Sequence, residues 1–432
     1  MSETAFRQLH YRFQYSMRRA FCRINPREID YPGQAATPQS HKVLFFWSSP
    51  PFSAILSTMT AKSDTQTNFM PPPHARILVA VSGGVDSTAA AAILAEAGYT
   101  CFGATLDLET RLASIAVEGE PRFKPGTIDK AKEICERLQI PHHVLQAGEA
   151  FSRHIIEPFA AAYAAGRTPN PCVRCNRMIK FGLFFQEARR LGCDFMATGH
   201  YARLLERDGR MTLRRAGYPR KDQSYALAPL TQTQLRRSCF PLGDLSKTEA
   251  LAIALEIDPV MADTQESQDI CFVSDGDYAR LVAARRPAAG GGFIRDLEGN
   301  VLGHHKGIHY YTIGQRRGLG VSAEEPLYVV RIEAATNTLY VGREKQTYIQ
   351  DFSTERLCWG KLEPRTVPFQ AWVQLRYKHT AVPGVVTPAG RGTSVHLAQP
   401  QRAVTPGQWA VFYDEDGWVC AAAEIRDFIL PR

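Results

Sequence analysis

Between an apolar run at residues 77–81 and an alanine-rich stretch at 86–97 stands Ser82-Gly83-Gly84-Val85-Asp86-Ser87. This junction constrains the fold more than any other part of the chain. The run has strand composition, and the stretch after it reads as a helix stopped by Gly98. Two consecutive glycines let the backbone approach an anion closely, and a helix N-terminus aims free N–H groups and a favourable dipole at it. Ser82, Ser87 and Thr88 add hydroxyl donors. The lysine of a Walker loop is missing, so this is a phosphate loop of another kind. Asp86 alone would repel a phosphate, and it is better explained as a Mg2+ contact. A serine-capped glycine turn is the plain alternative; strand, hexapeptide and helix together favour the phosphate loop.

Strand-like segments at 99–106, 142–145 and 195–198 follow, and 127–138 places Ile128, Ala131, Ile134, Cys135 and Leu138 on one helical face. Strands alternating with helices predict an α/β domain with a doubly wound parallel sheet. Beyond about residue 241 a helix is predicted at 247–255. Short, turn-punctuated strands then recur at 327–332, 338–341, 371–377, 394–397, 408–413 and 418–425, which suggests a small C-terminal β-barrel. A chain of 432 residues has room for two or three domains. The divisions expected are a leader at 1–73, a nucleotide-binding catalytic domain at 74–240, a central domain at 241–345 and a barrel at 346–432. The leader carries Arg7, Arg12, Arg18, Arg19, Arg23 and Arg27 and then a Thr/Ser/Gln/Pro-rich stretch, and it reads as disordered. A start called too early, with Met59 or Met70 as the true one, is favoured over a mitochondrial transit peptide.

The formal net charge of +8 fits a partner bearing phosphates, although many basic enzymes have none. The ten cysteines are scattered, unlike a secreted disulfide scaffold, and the expected compartment is reducing and cytoplasmic. No apolar stretch is long enough to span a bilayer, so no membrane partner is expected. Two of the cysteines stand apart, in Gly166-Arg167-Thr168-Pro169-Asn170-Pro171-Cys172-Val173-Arg174-Cys175. The prolines stiffen the approach. Arg167, Arg174, Arg177 and Lys180 surround the thiols, and their charge should lower the thiol pKa and favour a nucleophile. A structural zinc site would need a second cysteine pair, and none follows at ribbon spacing. Cys271, in Glu266-Ser267-Gln268-Asp269-Ile270-Cys271-Phe272, could by itself be a core thiol.

The hexapeptide resembles the pyrophosphate loop of ATP pyrophosphatases (PP-loop enzymes). Taken with the two cysteine segments, Ala197-Thr198-Gly199-His200-Tyr201, Lys221-Asp222-Gln223-Ser224-Tyr225, Tyr311-Thr312-Ile313-Gly314-Gln315-Arg316-Arg317-Gly318-Leu319-Gly320 and Thr405-Pro406-Gly407-Gln408, the chain resembles the tRNA-specific 2-thiouridylase family from about Arg76 onward. The resemblance implies ATP-dependent 2-thiolation of a wobble uridine of tRNA. The position-2 oxygen is adenylated with loss of pyrophosphate, and a cysteine persulfide then supplies sulfur. It implies an ATP site at Ala80, Val81, Ser82, Gly83, Gly84, Val85, Asp86, Ser87, Leu106 and Gly199, with Asp86 on Mg2+. Cys175 is implied as nucleophile and Cys271 as persulfide carrier, the two closing a disulfide after transfer. Asn170 and Pro171 border the target base, and His200, Lys221, Asp222, Gln223, Arg376, Tyr377 and Gln408 fall at tRNA contacts. A sulfur-relay protein or cysteine desulfurase is the implied donor. Many members have Asp where this chain has Cys172, which puts that residue's acid/base role in doubt. Three thiols, Cys172, Cys175 and Cys271, could instead ligate a [4Fe-4S] cluster. Cys172 as a spare or resolving thiol is the other reading, and both stay open at the level of sequence.

Overall fold

The computed structural model describes residues 68–108, 126–263, 270–273, 277–286 and 290–431. Residues 264–269 of the Cys271 segment, and most of the expected leader, lie outside the described residues.

The first domain is built on the expected parallel sheet. Its strands are β1 (Arg76–Ala80), β2 (Thr100–Asp107), β3 (His142–Gln146), β4 (Phe195–Ala197) and, after a hairpin of β5 (Arg203–Arg207) and β6 (Arg210–Arg214), β7 (Ser238–Cys239). Their spatial order is β3-β2-β1-β4-β7, so the sheet grows to one side of β1 and then to the other. A reversal of this kind leaves a crevice beyond the C-terminal ends of the central strands, where ligands of such sheets bind. Ile77, Leu78 and Val79 of β1 are fully buried, as an apolar run in the centre of a parallel sheet should be.

Helix α1 (Val85–Glu96) leaves the phosphate loop and is buried along nearly its whole length, because alanines let neighbours approach from every side. Helix α2 (Thr127–Arg137) buries Ala131, Ile134 and Cys135 against the sheet, the face that the sequence periodicity marks. A helical stretch from Gly148 ends in α3 (Glu157–Ala164), and the short α4 (Pro171–Cys175) carries both cysteines of the pair. Helix α5 (Leu183–Arg190) follows, and α6 (Lys247–Ile257) is started by a Ser246–Glu249 capping box. Helix α6 packs on α1, and Phe272 packs on the aromatic rings of Phe151 and Phe159. Residues well past 240 therefore belong physically to the first domain.

The central unit begins with helix α7 (Tyr278–Arg285) and holds a four-stranded sheet, β10-β11-β8-β9, made of β8 (Gly292–Arg295), β9 (Val301–His305), β10 (Tyr328–Glu333) and β11 (Thr338–Gly342). Strands β10 and β11 are the segments that sequence pattern grouped with the barrel. The closed barrel has six strands in the order β12-β15-β14-β13-β16-β17. These are β12 (Tyr348–Trp359), β13 (Phe369–Gln374), β14 (Val382–Ala389), β15 (Gly392–Arg402), β16 (Trp409–Tyr413) and β17 (Val419–Phe428). Its outer face is not free. Trp409, Val411, Tyr413 and Val419 are buried in one cluster with Leu78, Phe181, Leu213 and Phe240 of the first domain.

The expected leader extends too far toward the core at its end. Asn68 donates to Phe240 O (2.6 Å) and accepts from Leu204 N (2.9 Å). Phe69 N donates to Leu204 O (2.6 Å), and Tyr99 Oη donates to Pro71 O (2.7 Å). Residues 68–73 are thus fastened to the sheet domain.

Candidate active site

The phosphate loop lies at the reversal point of the sheet. Gly83 takes φ +70° and is buried against the stem of Lys130, a position that suits only glycine. Ser87 Oγ accepts from Ser82 N (3.1 Å), lies 3.2 Å from Ser82 Oγ and donates to Gly84 O (3.0 Å), so the two serines close the loop on itself. Val81, Val85 and Ser87 are buried, Ala80 and Gly84 half-buried, and Ser82 exposed. Gly199 stands against Asp86: a Cβ there would lie 2.5 Å from Asp86 O, so the glycine is required for β4 and the loop to meet.

Asp86 Oδ1 accepts from Tyr201 Oη and from Lys247 Nζ, both at 2.7 Å. The loop itself carries no lysine. The fold brings one in from the first turn of α6, 161 residues away, with no local signal to announce it. Asp86 is a half-exposed hard-oxygen ligand at the loop's edge, which fits a Mg2+ held mainly by phosphates and water.

The thiols lie beyond this loop and are connected to it. Leu106, at the end of β2, is packed against an aromatic cluster of Phe151, Phe159, Tyr163 and Phe272, and Cys175 and Ile270 are packed against the same cluster. Anchoring of Phe272 carries Cys271 to α4. Cys172 and Cys175 each raise the thiol pKa of Cys271 through their charge, which requires that the three be near one another. All three are free thiols, with Cys172 and Cys271 exposed and Cys175 half-buried. Among the described residues no three His, Cys, Asp or Glu side chains are set to hold a metal ion. Cys172, Cys175 and Cys271 are all described, and as placed they do not fit a cluster.

The expectation of acidified thiols is overturned. Desolvation by the surrounding protein atoms pushes Cys175 up to about 11 and Cys271 up to about 12, and raises Cys172 as well, even though solvent reaches the side chains of Cys172 and Cys271. The arginines nearby are engaged elsewhere. Arg167 Nη2 donates to Glu355 Oε1 (2.8 Å) and Glu424 Oε1 (2.9 Å), Arg174 Nε to His154 O, and Arg177 Nη1 to Cys358 Sγ (3.1 Å). Lys180 is the cation that lowers all three thiols. It also faces His200, whose burial holds its pKa well below the usual histidine value. Gly199 thus meets Asp86 at the phosphate loop, and the charge of Lys180 acts on both His200 and Cys175.

The residues implied as base and tRNA contacts divide into an inner and an outer set. Asn170 caps α4 by accepting from Val173 N (3.2 Å), and Pro171 is buried. His200 is 8% exposed, held by Thr198 Oγ1 (2.7 Å) between Phe181 and Phe240. Asp222 accepts from Arg215, Ala216 N and Ser224, and Gln223 accepts from Tyr201 N. Gln408 Nε2 donates to Thr168 O (2.9 Å). Lys221, Arg376 and Tyr377 lie nearer the surface. Gln374 ties the two patches, accepting from Arg215 Nη2 (2.9 Å) and donating to the carbonyls of Arg376 and Tyr377. The 221–225 segment and the barrel loop at 376–377 therefore form one surface.

Three family models match in order: a tRNA methyl transferase HUP domain over residues 75–275, a tRNA methyl transferase PRC-barrel domain over 281–343, and an aminomethyltransferase beta-barrel domain over 349–421. The chain is 42% identical over 357 residues to the tRNA-specific 2-thiouridylase MnmA of Syntrophotalea carbinolica, covering 81% of this chain and 100% of that protein. It is 42% identical over 359 residues to the protein of the same name from Geobacter metallireducens, covering 80% and 97%. Among solved structures, the U34-tRNA thiolase NcsA from Methanococcus maripaludis with its [4Fe-4S] cluster aligns over 53% of this chain and 70% of that one. The identity is 16% and the TM-score 0.32. No helix among the described residues is long and apolar enough to cross a membrane.

Proposed function

The chain belongs to the tRNA-specific 2-thiouridylase family, and on that premise we propose that it replaces the position-2 oxygen of a tRNA wobble uridine with sulfur at the expense of ATP. The observation that carries the reading is the packing of Cys175 and of Ile270, the residue before Cys271, against the same aromatic cluster as Leu106, on the strand that pairs with the one entering the phosphate loop. Methyl transfer, the activity in the descriptions of two of the family models, would leave those thiols without a role.

In this scheme the triphosphate lies on the backbone N–H groups of 82–87, with Lys247 supplying the cation that the loop lacks. Asp86 would hold Mg2+, which offsets phosphate charge as pyrophosphate departs. The target uridine must leave its stack to reach the site, between Asn170–Pro171 and the surface formed by Lys221, Arg376 and Tyr377. Its position-2 oxygen attacks the α-phosphate of ATP and pyrophosphate leaves, which makes that oxygen part of a good leaving group. The outer sulfur of a persulfide on Cys271 bonds to the ring carbon and AMP departs. The Cys175 thiolate attacks the inner sulfur of Cys271, breaking the S–S bond and leaving the new sulfur on the base. A Cys175–Cys271 disulfide results, and an external thiol reductant reduces it to the two thiols, leaving as a disulfide itself. The resting thiols are protonated near neutral pH, and Lys180 is placed to stabilise the thiolate when it forms. A sulfur-relay protein or cysteine desulfurase would load the persulfide in the cytoplasm. Cys172 serves as a spare thiol beside the nucleophile.

The test is mass spectrometry of tRNA nucleosides from a strain lacking the gene, with and without the wild-type chain. Loss and recovery of 2-thiouridine derivatives supports the reading. Unchanged thiolation with loss of a methylated nucleoside would replace it.

A further inference from the structure

The loop 166–170 that leads into α4 is gripped from outside its own domain. Thr168 N donates to Pro406 O (2.8 Å), Gln408 Nε2 donates to Thr168 O (2.9 Å), and Thr168 Oγ1 lies 3.4 Å from Thr312 Oγ1. Gly407 takes φ +93°, and a Cβ there would come within 3.0 Å of the Thr168 carbonyl, so the barrel turn can lie against the loop only with glycine at this position. Gly166, at φ +71°, fits against Ile332 of β10 in the same way.

Beside these contacts, Arg167 joins Glu355 of β12 to Glu424 of β17, and Arg356 Nη1 donates to the second oxygen of Glu424 (2.6 Å). The Glu424 side chain is 12% exposed and that of Arg167 27%. One guanidinium nitrogen, Nη2 of Arg167, is shared by the two carboxylates, so a single charged group ties the loop to β12 and β17 at once. Apart from the end of α3 behind it and the Asn170 cap ahead of it, the loop takes its position from the central sheet and the barrel.

We propose that Arg167, Glu424 and the Gly407–Gln408 turn are positioning residues for Cys175: the barrel, through this clamp, sets where the nucleophile stands. The inference rests on the reading of Cys175 as the nucleophile. It also gives Gln408 a task besides the tRNA contact implied by resemblance. A displacement of about 1 Å at a reacting atom can cost on the order of a hundredfold in rate, so a clamp of this kind is worth its buried charges.

The experiment uses the full chain with Arg167→Lys, Glu424→Gln and Gly407→Ala. The first keeps the charge and withdraws the nitrogen that both carboxylates share, the second keeps the shape and removes the carboxylate charge of Glu424, and the third presses on the backbone of Thr168. Three quantities are read: the thermal unfolding midpoint, the pH profile of Cys175 alkylation by iodoacetamide followed by peptide mass spectrometry, and tRNA thiolation beside tRNA-dependent pyrophosphate release. A loosened loop lets water reach the thiol. We expect Cys175 alkylation to speed up and its midpoint to move to lower pH. Thiolation should fall about tenfold or more while pyrophosphate release stays within about threefold. The proposal is overturned if Cys175 keeps its alkylation profile in the variants. It is equally overturned if the buried Cys101 and Cys420 become reactive in step with Cys175, since that is general loosening. A wild-type chain that does not thiolate tRNA would refute the proposed function instead, and the alkylation profiles would still decide the positioning role.

Discussion

Replacing Lys247 with methionine separates a residue kept for the fold from one kept for a ligand. Lys247 is the first residue of α6, directly after the Ser246 cap, and a cation there faces the positive end of the helix dipole. That placement costs the helix about 0.3–1 kcal/mol. Its ion pair with Asp86 returns little, because the two side chains are 23% and 36% exposed, and pairs of that kind contribute about 0–1 kcal/mol. The two terms nearly cancel, so Lys247→Met should leave the unfolding midpoint almost unchanged. Tyr201 Oη still holds Asp86 Oδ1 in the variant, which keeps the loop in place. A charge-assisted hydrogen bond to a phosphate is worth about 1.5–3 kcal/mol, or a factor of roughly 10–150 in dissociation constant. Isothermal titration with Mg2+ and ATP, run beside thermal unfolding, reads both quantities. Strong loss of nucleotide affinity at constant stability is expected. ATP binding within about twofold of wild type would show that Lys247 serves Asp86 and not the nucleotide.

Other outcomes follow from the same geometry. Relative to a chain begun at Asn68, a chain begun at Ala75 loses four hydrogen bonds made by Asn68, Phe69 and Pro71 and the half-buried Phe69 ring. That loss amounts to roughly 3–6 kcal/mol and is visible as a lowered midpoint in thermal unfolding. Lys180→Met removes the charge that pulls the Cys175 thiol down, so its pKa should rise above about 11 and its alkylation by iodoacetamide should slow at every pH below that value; an unchanged profile would show that burial alone sets the pKa. Cys175→Ser and Cys271→Ser should each abolish thiolation in a purified, sulfide-free assay and leave tRNA binding within a few-fold, because phosphate contacts and not thiols supply the affinity; turnover surviving in either variant excludes that residue from the proposed route.

What the sequence discloses is whatever its own neighbours determine. The phosphate loop was legible because strand, glycines and helix start lie within about twenty consecutive residues, and the resulting geometry at Gly83 and Ser87 is local. The barrel was legible only in part. Strand β14 contains Pro383, Gly384 and Pro388, which read as turn residues, yet it pairs along its length with β15. Strand β12 has three register shifts and a positive φ at Arg356, and these break the alternation that pattern reading needs. At the site the failure has a single form. Counting cations around Cys175 predicts an acidic thiol, but a count cannot say where a guanidinium points. Arg167 reaches carboxylates 188 and 257 residues away, while Lys247 comes from 161 residues away to Asp86. Both exchanges are decided by how the barrel and α6 pack on the first domain. A basic run beside a cysteine therefore supports a low thiol pKa only when no carboxylate from another part of the fold can claim the charge. Here Glu355 and Glu424 claim Arg167, and the thiol is left to burial and to Lys180.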